Sequence, residues 1–455
     1  KWVLANYEAI NTRAVNRNVK QADLSFINEL INSLQHLFDK YEFEQPASAH
    51  DNKHKSEKFL RQKLFQQLWL QPYSRLSISS QARAYYLFCS HDLNTESLKK
   101  VDNYFVAKTG ISIDTFFEIS LIVWAQFQTS DNKEVFITKN CFENCAHTFS
   151  NNEIDKYFQL LSLDLSGAKE YANSDINSKN KRDYLKYQIF EQSPLTTYPF
   201  LRVGERYFIY SPALLDYVVK YFIYDFLKQH EGSGFSEVFG RDIFESYLKK
   251  GLEYSGLEFK DESAQPRKSK KVDFLIEDDN KTLLIEAKAV EMASIAIAKA
   301  DNESIFKALE TNVLKGIKQA YSIASSLKNK PVYALIITYK ELFLGSTGSA
   351  WNEFLGKALE EFLSENQIDR NCIHSDRIYV LSVDDFDKLM MVIKNGYNVF
   401  DILDSISEKD KDNVRGRIFF GDHLNEVLPK DDRILPHLEN EVNKLRKQVE
   451  SRFIR

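Results

Sequence analysis

Apolar residues recur at helical spacing through Leu24, Ile27, Leu30, Ile31, Leu34, Leu37 and Phe38, behind a cap at Asp23 or Ser25, which predicts a core-facing helix. A polar connection from Pro46 to Glu57 follows, then helices carrying Trp69, Tyr85, Tyr86, Phe88 and the apolar stretch Phe116 to Phe127. These aromatics sit on apolar faces, where core packing outranks base stacking. Ser150 and Glu153 have capping-box spacing ahead of Ile154, Tyr157, Phe158, Leu160 and Leu161. The polar run Ala172 to Arg182 reads as a loop and closes a mostly α-helical N-terminal domain at residues 1–182. Residues 183–230 then read as a bridge. It holds a small hairpin, Tyr198 to Tyr210, turning at Gly204 and Glu205, and a helix opened by Ser211 and Pro212.

Beyond residue 230 helical and strand periods alternate. Phe239, Ile243, Phe244, Tyr247 and Leu248 define the buried side of a helix within Glu231 to Leu252. Two apolar, β-branched runs, Val272 to Glu277 and Thr282 to Val290, flank the turn-forming Asp278, Asp279, Asn280 and Lys281, which predicts a hairpin. A long amphipathic helix over Ser304 to Leu327 follows. Pro331 to Thr338 and Arg377 to Val383 read as buried strands, each followed by a helix, at Trp351 to Leu363 and at Phe386 to Ile393 behind Asp384 and Asp385. The fold class expected is α/β: one mixed sheet with helices on both faces over residues 231–395, and a helical extension over 396–455. That extension includes the charged stretch Glu408 to Arg417 and a tail with a narrow apolar seam at Leu438, Val442, Leu445, Val449 and Phe453. The seam suits packing on the N-terminal helices or pairing with a second copy as a homodimer.

The polar residues inside the predicted hairpin are misplaced for a purely structural element. A turn centred on Asp279 and Asn280 sets Asp273 opposite Glu286, and the two-residue period puts Lys288 on the same face while Ala287 points away. Two opposed carboxylates repel unless a cation lies between them. Hard oxygen ligands suit Mg²⁺ or Mn²⁺, and the neighbouring ammonium suits an anionic substrate or a developing hydroxide. The alternative is a pair of solvated charges on an exposed hairpin face.

An acid on one strand followed by Glu286-Ala287-Lys288 on the next resembles the PD-(D/E)XK nuclease superfamily, with Val272 standing where the family has proline. The resemblance implies a restriction-endonuclease-like core in which Asp273 and Glu286 hold the metal, the Ala287 carbonyl assists, and Lys288 orients or activates the attacking water. It implies a further acid on the preceding helix, matched by Glu245, as a ligand or a water-orienting group. It also implies a Gln or Lys on the following helix that touches substrate, matched by Gln319 or Lys315. The basic run Arg267, Lys268, Lys270 and Lys271 leads into the strand of Asp273 and suits phosphate contacts, or equally a solvated loop. The expectation is a Mg²⁺- or Mn²⁺-dependent DNA endonuclease of the restriction or anti-phage defence kind, by analogy with nuclease cores fused to helical modules. Alternatives are an RNA-directed nuclease and a catalytically inactive nucleic-acid-binding or scaffold subunit.

Composition narrows this picture little. A net charge of −5 confines any nucleic-acid surface to a local patch. Four cysteines in 455 residues make no disulfide framework, which favours a reducing compartment. Cys141, Cys145 and His147 lack a fourth zinc ligand at suitable spacing, so buried free thiols are expected. Neither GxxxxGK(S/T) nor a complete GxGxxG accompanies Gly232 and Gly234, which argues against a nucleotide loop. The first ten residues hold no apolar signal segment, and no apolar run approaches the ~18 residues of a span. A cytoplasmic protein with no membrane contact is the expectation.

Overall fold

A computed structural model of the chain describes residues 78–129, 136–145, 149–178, 194–209, 212–265, 271–327, 330–344, 350–411, 417, 419–428 and 434–452. The predicted helix at Leu24 to Phe38, the connection at Pro46 to Glu57, Trp69, His147 and Ser211 lie outside these residues. Among the described residues no helix is long and apolar enough to cross a membrane.

Three helices open the described chain: α1 (Ile78–Cys89), α2 (Thr95–Thr109) and α3 (Ile113–Thr129). Asn94 caps α2, accepting from the N–H groups of Glu96 and Ser97. Strand β1 (Phe136–Ile137) follows, then a 3₁₀ turn that carries Cys141 and Cys145 as free thiols. Helix α4 (Asn151–Leu161) begins with the expected capping box: Ser150 Oγ accepts from the Glu153 N–H, and Glu153 Oε2 accepts from the Ser150 N–H. The chain continues through β2 (Ser162–Asp164), α5 (Leu165–Ser178), β3 (Phe200–Val203) and β4 (Arg206–Ile209).

Two features here differ from expectation. The region expected to be mostly helical contributes β1 and β2 to a four-stranded sheet ordered β1-β4-β3-β2, in which β2 and β3 run parallel. Strands of two and three residues are too short to show alternation, so their pairing is set by distant partners. Helix α5 also runs through Ala172 to Ser178, which composition suggested was loop. Asp164 Oδ1 accepts from the Gly167 N–H at 2.7 Å and starts that helix where apolar periodicity is weak. The hairpin β3–β4 turns at Gly204, whose φ is 60°, so residues 200–209 share one sheet with residues 136–164.

Helix α6 (Pro212–Glu231) leads into α7 (Ser233–Val238), a π-helical turn at Phe239–Phe244, and α8 (Glu245–Ser255). The second sheet is built from β5 (Lys260–Asp261), β6 (Phe274–Glu277), β7 (Thr282–Lys288), then, beyond α9 (Ser294–Lys299), α10 (Asn302–Leu309), a second π-turn at Glu310–Leu314 and α11 (Lys315–Ala324), strand β8 (Val332–Thr338). Helix α12 (Ala350–Glu365) precedes β9 (Ile378–Ser382), and α13 (Val383–Lys394), α14 (Val399–Lys411), α15 (Phe420–Leu424) and α16 (Pro436–Arg452) complete the chain. The strand order is β5-β6-β7-β8-β9: β6 pairs antiparallel with both β5 and β7, and β7, β8 and β9 are parallel. The class is therefore mixed α/β with two mixed sheets.

Alternation along the strands divides the core in two. Ile276, Leu283, Ile285, Leu335, Ile337 and Leu381 face the cluster shared with α6–α8, α13 and the N-terminal helices. Leu284, Ala334, Ile336, Ile378 and Val380 face a second cluster with α10–α12. The C-terminal seam packs within the chain: Leu438, Leu445 and Val449 are buried, and α16 lies on α1 and α3, where Gln448 donates to Glu118.

Candidate functional site

The hairpin forms with the register that its turn chemistry dictates. Asp278 Oδ1 accepts from the N–H groups of Asn280 and Lys281, and the ladder pairs Glu277 with Thr282 and Phe274 with Ile285. Asp273 lies just before β6, one residue beyond the last pair of that ladder, Phe274 with Ile285. Its Oδ2 accepts from the Ala287 N–H at 2.6 Å, so the carboxylate grips the β7 backbone between Glu286 and Lys288. Glu286 is 1% exposed, and its Oε2 accepts from Lys288 Nζ at 2.6 Å. Its Oε1 is buried with no hydrogen-bond partner. Ala287 turns to the opposite core, as the strand period requires.

Helices from both layers complete the surroundings. Glu245 opens α8 directly after the first π-turn, and it is partly buried. On the other side Gly316 of α11, just after the second π-turn, lies so close to the lysine that a Cβ there would sit 3.2 Å from Lys288 Cε. π-turns re-aim the residues that follow them by inserting one extra residue per turn, and both here precede a residue of this site.

The electrostatics record a crowd of acids. Burial, then the charge of Asp273, pushes the Glu286 carboxyl up to about 8, against the pull of Lys288. Burial, then Asp273 and Glu262, pushes Glu245 up to about 7. Burial also raises Asp273, opposed by the Ala287 N–H. An excess of buried carboxyls with one orphaned oxygen is the chemistry a hard divalent cation satisfies, through Asp273, Glu286 and the Ala287 carbonyl. Among the described residues no three His, Cys, Asp or Glu side chains form a metal-binding group. Glu245 therefore feels the charge of Asp273, and its own charge reaches Glu286, without the three forming a three-carboxylate cluster.

The remaining predicted residues divide. Gln319 donates from Nε2 to the Lys271 carbonyl at 2.5 Å, and Lys271 Nζ donates to the Glu262 carbonyl at 2.7 Å, so both polar groups are turned to backbone. Lys315 is exposed at the start of α11. Arg267, Lys268 and Lys270 lie outside the described residues. Four residues at the site had not been singled out: Arg241 and Glu262, whose charges reach Glu245, Gly316 against Lys288, and Gln265, which binds the backbone of Val272. Arg241 stands four residues before Glu245, an ordinary helical pair spacing, and is the one that pattern reading could have found. The others depend on long-range packing.

Charged networks close the carboxyl ends of the neighbouring parallel strands. Past β8, Lys340 pairs with Asp225 of α6 and with Glu291 at 2.7 Å, and Glu291 also meets Lys228 at 2.8 Å. Past β9, Asp384 pairs with Arg83 of α1 and with Lys220 of α6 at 2.6 Å, while Asp387 meets Arg83 at 3.1 Å and accepts from Tyr247. Tyr224 of α6 donates to the Ala289 carbonyl one residue beyond Lys288, at 3.1 Å. Helices α1 and α6 are thus anchored along the edge where open α/β sheets place their ligands, and α6 reaches the end of β7 through Tyr224. No family model matches the chain, and no curated protein matches its sequence.

Proposed function

We propose that this protein is a divalent-metal-dependent phosphodiesterase, a DNA endonuclease with a restriction-endonuclease-like core. The observation that carries the reading is the buried Glu286 carboxyl, with one oxygen on Lys288 and the other unpartnered, beside Asp273 at the end of the hairpin ladder. A structural hairpin gains nothing from this arrangement, whereas cleavage of a phosphodiester needs it.

Asp273, Glu286 and the Ala287 carbonyl would hold Mg²⁺ or Mn²⁺, which supplies Lewis-acid stabilisation of the charge that develops on the phosphate oxygens. Lys288 orients water for attack and offers its ammonium to a phosphate oxygen. Asp273 keeps its orientation through the Ala287 N–H, which leaves its second oxygen for the cation. Glu245, with its carboxyl near 7, is matched to accept the proton of the attacking water at neutral pH. Water oxygen bonds to phosphorus as its proton passes to Glu245, the ester bond to one sugar oxygen breaks, and that oxygen takes a proton from solvent, so the products carry a phosphate and a hydroxyl. Exposed Lys315 would offer a phosphate contact to an approaching polyanion.

A second reading, an inactive nucleic-acid-binding or scaffold subunit, draws on the lack of a three-carboxylate group among the described residues. Incubation with plasmid, linear duplex, single-stranded DNA and RNA in Mg²⁺, Mn²⁺ or EDTA separates the two. Cation-dependent DNA cleavage, lost in Asp273→Ala and Lys288→Ala, is the expected result. Cleavage of RNA alone changes the substrate and keeps the site. Absence of cleavage under every condition, or equal cleavage by the variants, rejects the nuclease reading.

A further inference from the structure

Neither strand ladder reaches the residue that matters most. The pairing of β6 with β7 stops at Phe274 and Ile285, and that of β5 with β6 at Asp261 and Phe274, so both registers end one residue short of Asp273. Side chains take over from there. Gln265 is 5% exposed, and its amide grips both backbone groups of Val272: Nε2 donates to the Val272 carbonyl at 2.7 Å, and Oε1 accepts from the Val272 N–H at 3.1 Å. This is the donor–acceptor pattern a neighbouring strand would present. The same Nε2 lies 3.4 Å from the Lys260 carbonyl, which ties the clasp to β5. One residue earlier, the Lys271 carbonyl takes its hydrogen bond from Gln319. The peptide units leading to Asp273 are therefore fixed by two glutamines from different elements.

We infer that Gln265 is a positioning residue of the site: its amide stands in for a missing strand and sets the backbone from which Asp273 reaches both the Ala287 N–H and a divalent cation. The inference rests on reading Asp273 as a cation ligand. It separates Gln265 from an ordinary buried amide, because the backbone it holds is the one that aims a carboxylate. Such supporting groups commonly change metal affinity about 10- to 100-fold when removed.

Two variants of the full chain test it, with Mn²⁺ binding followed by electron paramagnetic resonance and amide exchange read over residues 271–277. Gln265→Met keeps the shape and removes every hydrogen bond, so Mn²⁺ affinity should fall about tenfold or more and exchange should quicken at Val272. Gln265→Glu reproduces the amide's pattern when protonated and opposes the Val272 carbonyl when ionised. The ratio of its Mn²⁺ dissociation constant to that of the wild type should therefore start near one at pH 5.5 and grow toward pH 8. A general loss of packing would not follow the proton in this way. Wild-type affinity in Gln265→Met, or a Gln265→Glu ratio that stays flat with pH, overturns the inference while leaving the nuclease reading intact. If Gln265→Met does not fold, Gln265→Glu decides alone. A wild-type protein that binds no Mn²⁺ removes the reading of the site, and the inference with it.

Discussion

Replacing Glu286 by Gln should make the cation-free protein more stable, by an amount that grows with pH. The carboxyl sits at about 8 in the folded chain against an ordinary 4.5, chiefly through burial. Below pH 4.5 both states carry the proton. Between there and about 8 the unfolded chain has released a proton that the folded chain still holds, so stability falls as pH rises and is fully reduced above the folded value. At about 1.36 kcal/mol per unit this amounts to roughly 5 kcal/mol for the wild type. Glutamine has the same shape and no charge, so it avoids this loss. The pull of Lys288 is already contained in the folded value, so the gain over the wild type approaches the same roughly 5 kcal/mol by pH 9. Urea unfolding in EDTA at pH 5, 7 and 9 measures the difference directly. The midpoints should lie close together at pH 5 and separate in favour of Glu286→Gln as pH rises, and excess Mn²⁺ should raise the wild type alone. A gap that does not widen between pH 5 and pH 8, or one that favours the wild type throughout, refutes the argument that this carboxyl is held buried against its own charge.

Three further outcomes follow from contacts elsewhere. In Gly316→Val the added atoms press on Ile336 Cδ1 and Lys288 Cε, each 3.2 Å from a Cβ at that position, so single-turnover cleavage should slow by about 100-fold and the urea midpoint should fall by the equivalent of about 1–3 kcal/mol. Arg83→Met leaves Asp384 and Asp387 short of their shared partner and should lower stability by roughly 3–5 kcal/mol in chemical denaturation, since breaking a buried pair strands its remaining charges. Leu438→Ala opens a cavity where α16 meets the N-terminal helices and should lower the urea midpoint by the equivalent of about 2–5 kcal/mol.

What was legible in the sequence and what was not divide along a physical line. The hairpin, its register and the buried strands β8 and β9 could be read because each is set within a few residues, by turn chemistry at Asp278 to Lys281 and by unbroken apolar runs. Asp273, Glu286 and Lys288 stood out because they break a pattern that packing alone would keep. Gln265 and Gly316 break nothing: a glutamine ahead of a basic loop and a glycine within a helix are ordinary until the fold brings Val272 to one and Lys288 to the other. The π-turns hide for a related reason, since an extra residue within a helix leaves the apolar count intact and changes only which side chain points where. β1 and β2 escape because two or three residues cannot display a period. The groups that hold the backbone of a charged residue come together only in the folded chain, and at this site they run from Asp273 through Val272 to Gln265. The chemistry is carried by residues that violate local preference, and the precision is carried by residues that satisfy it.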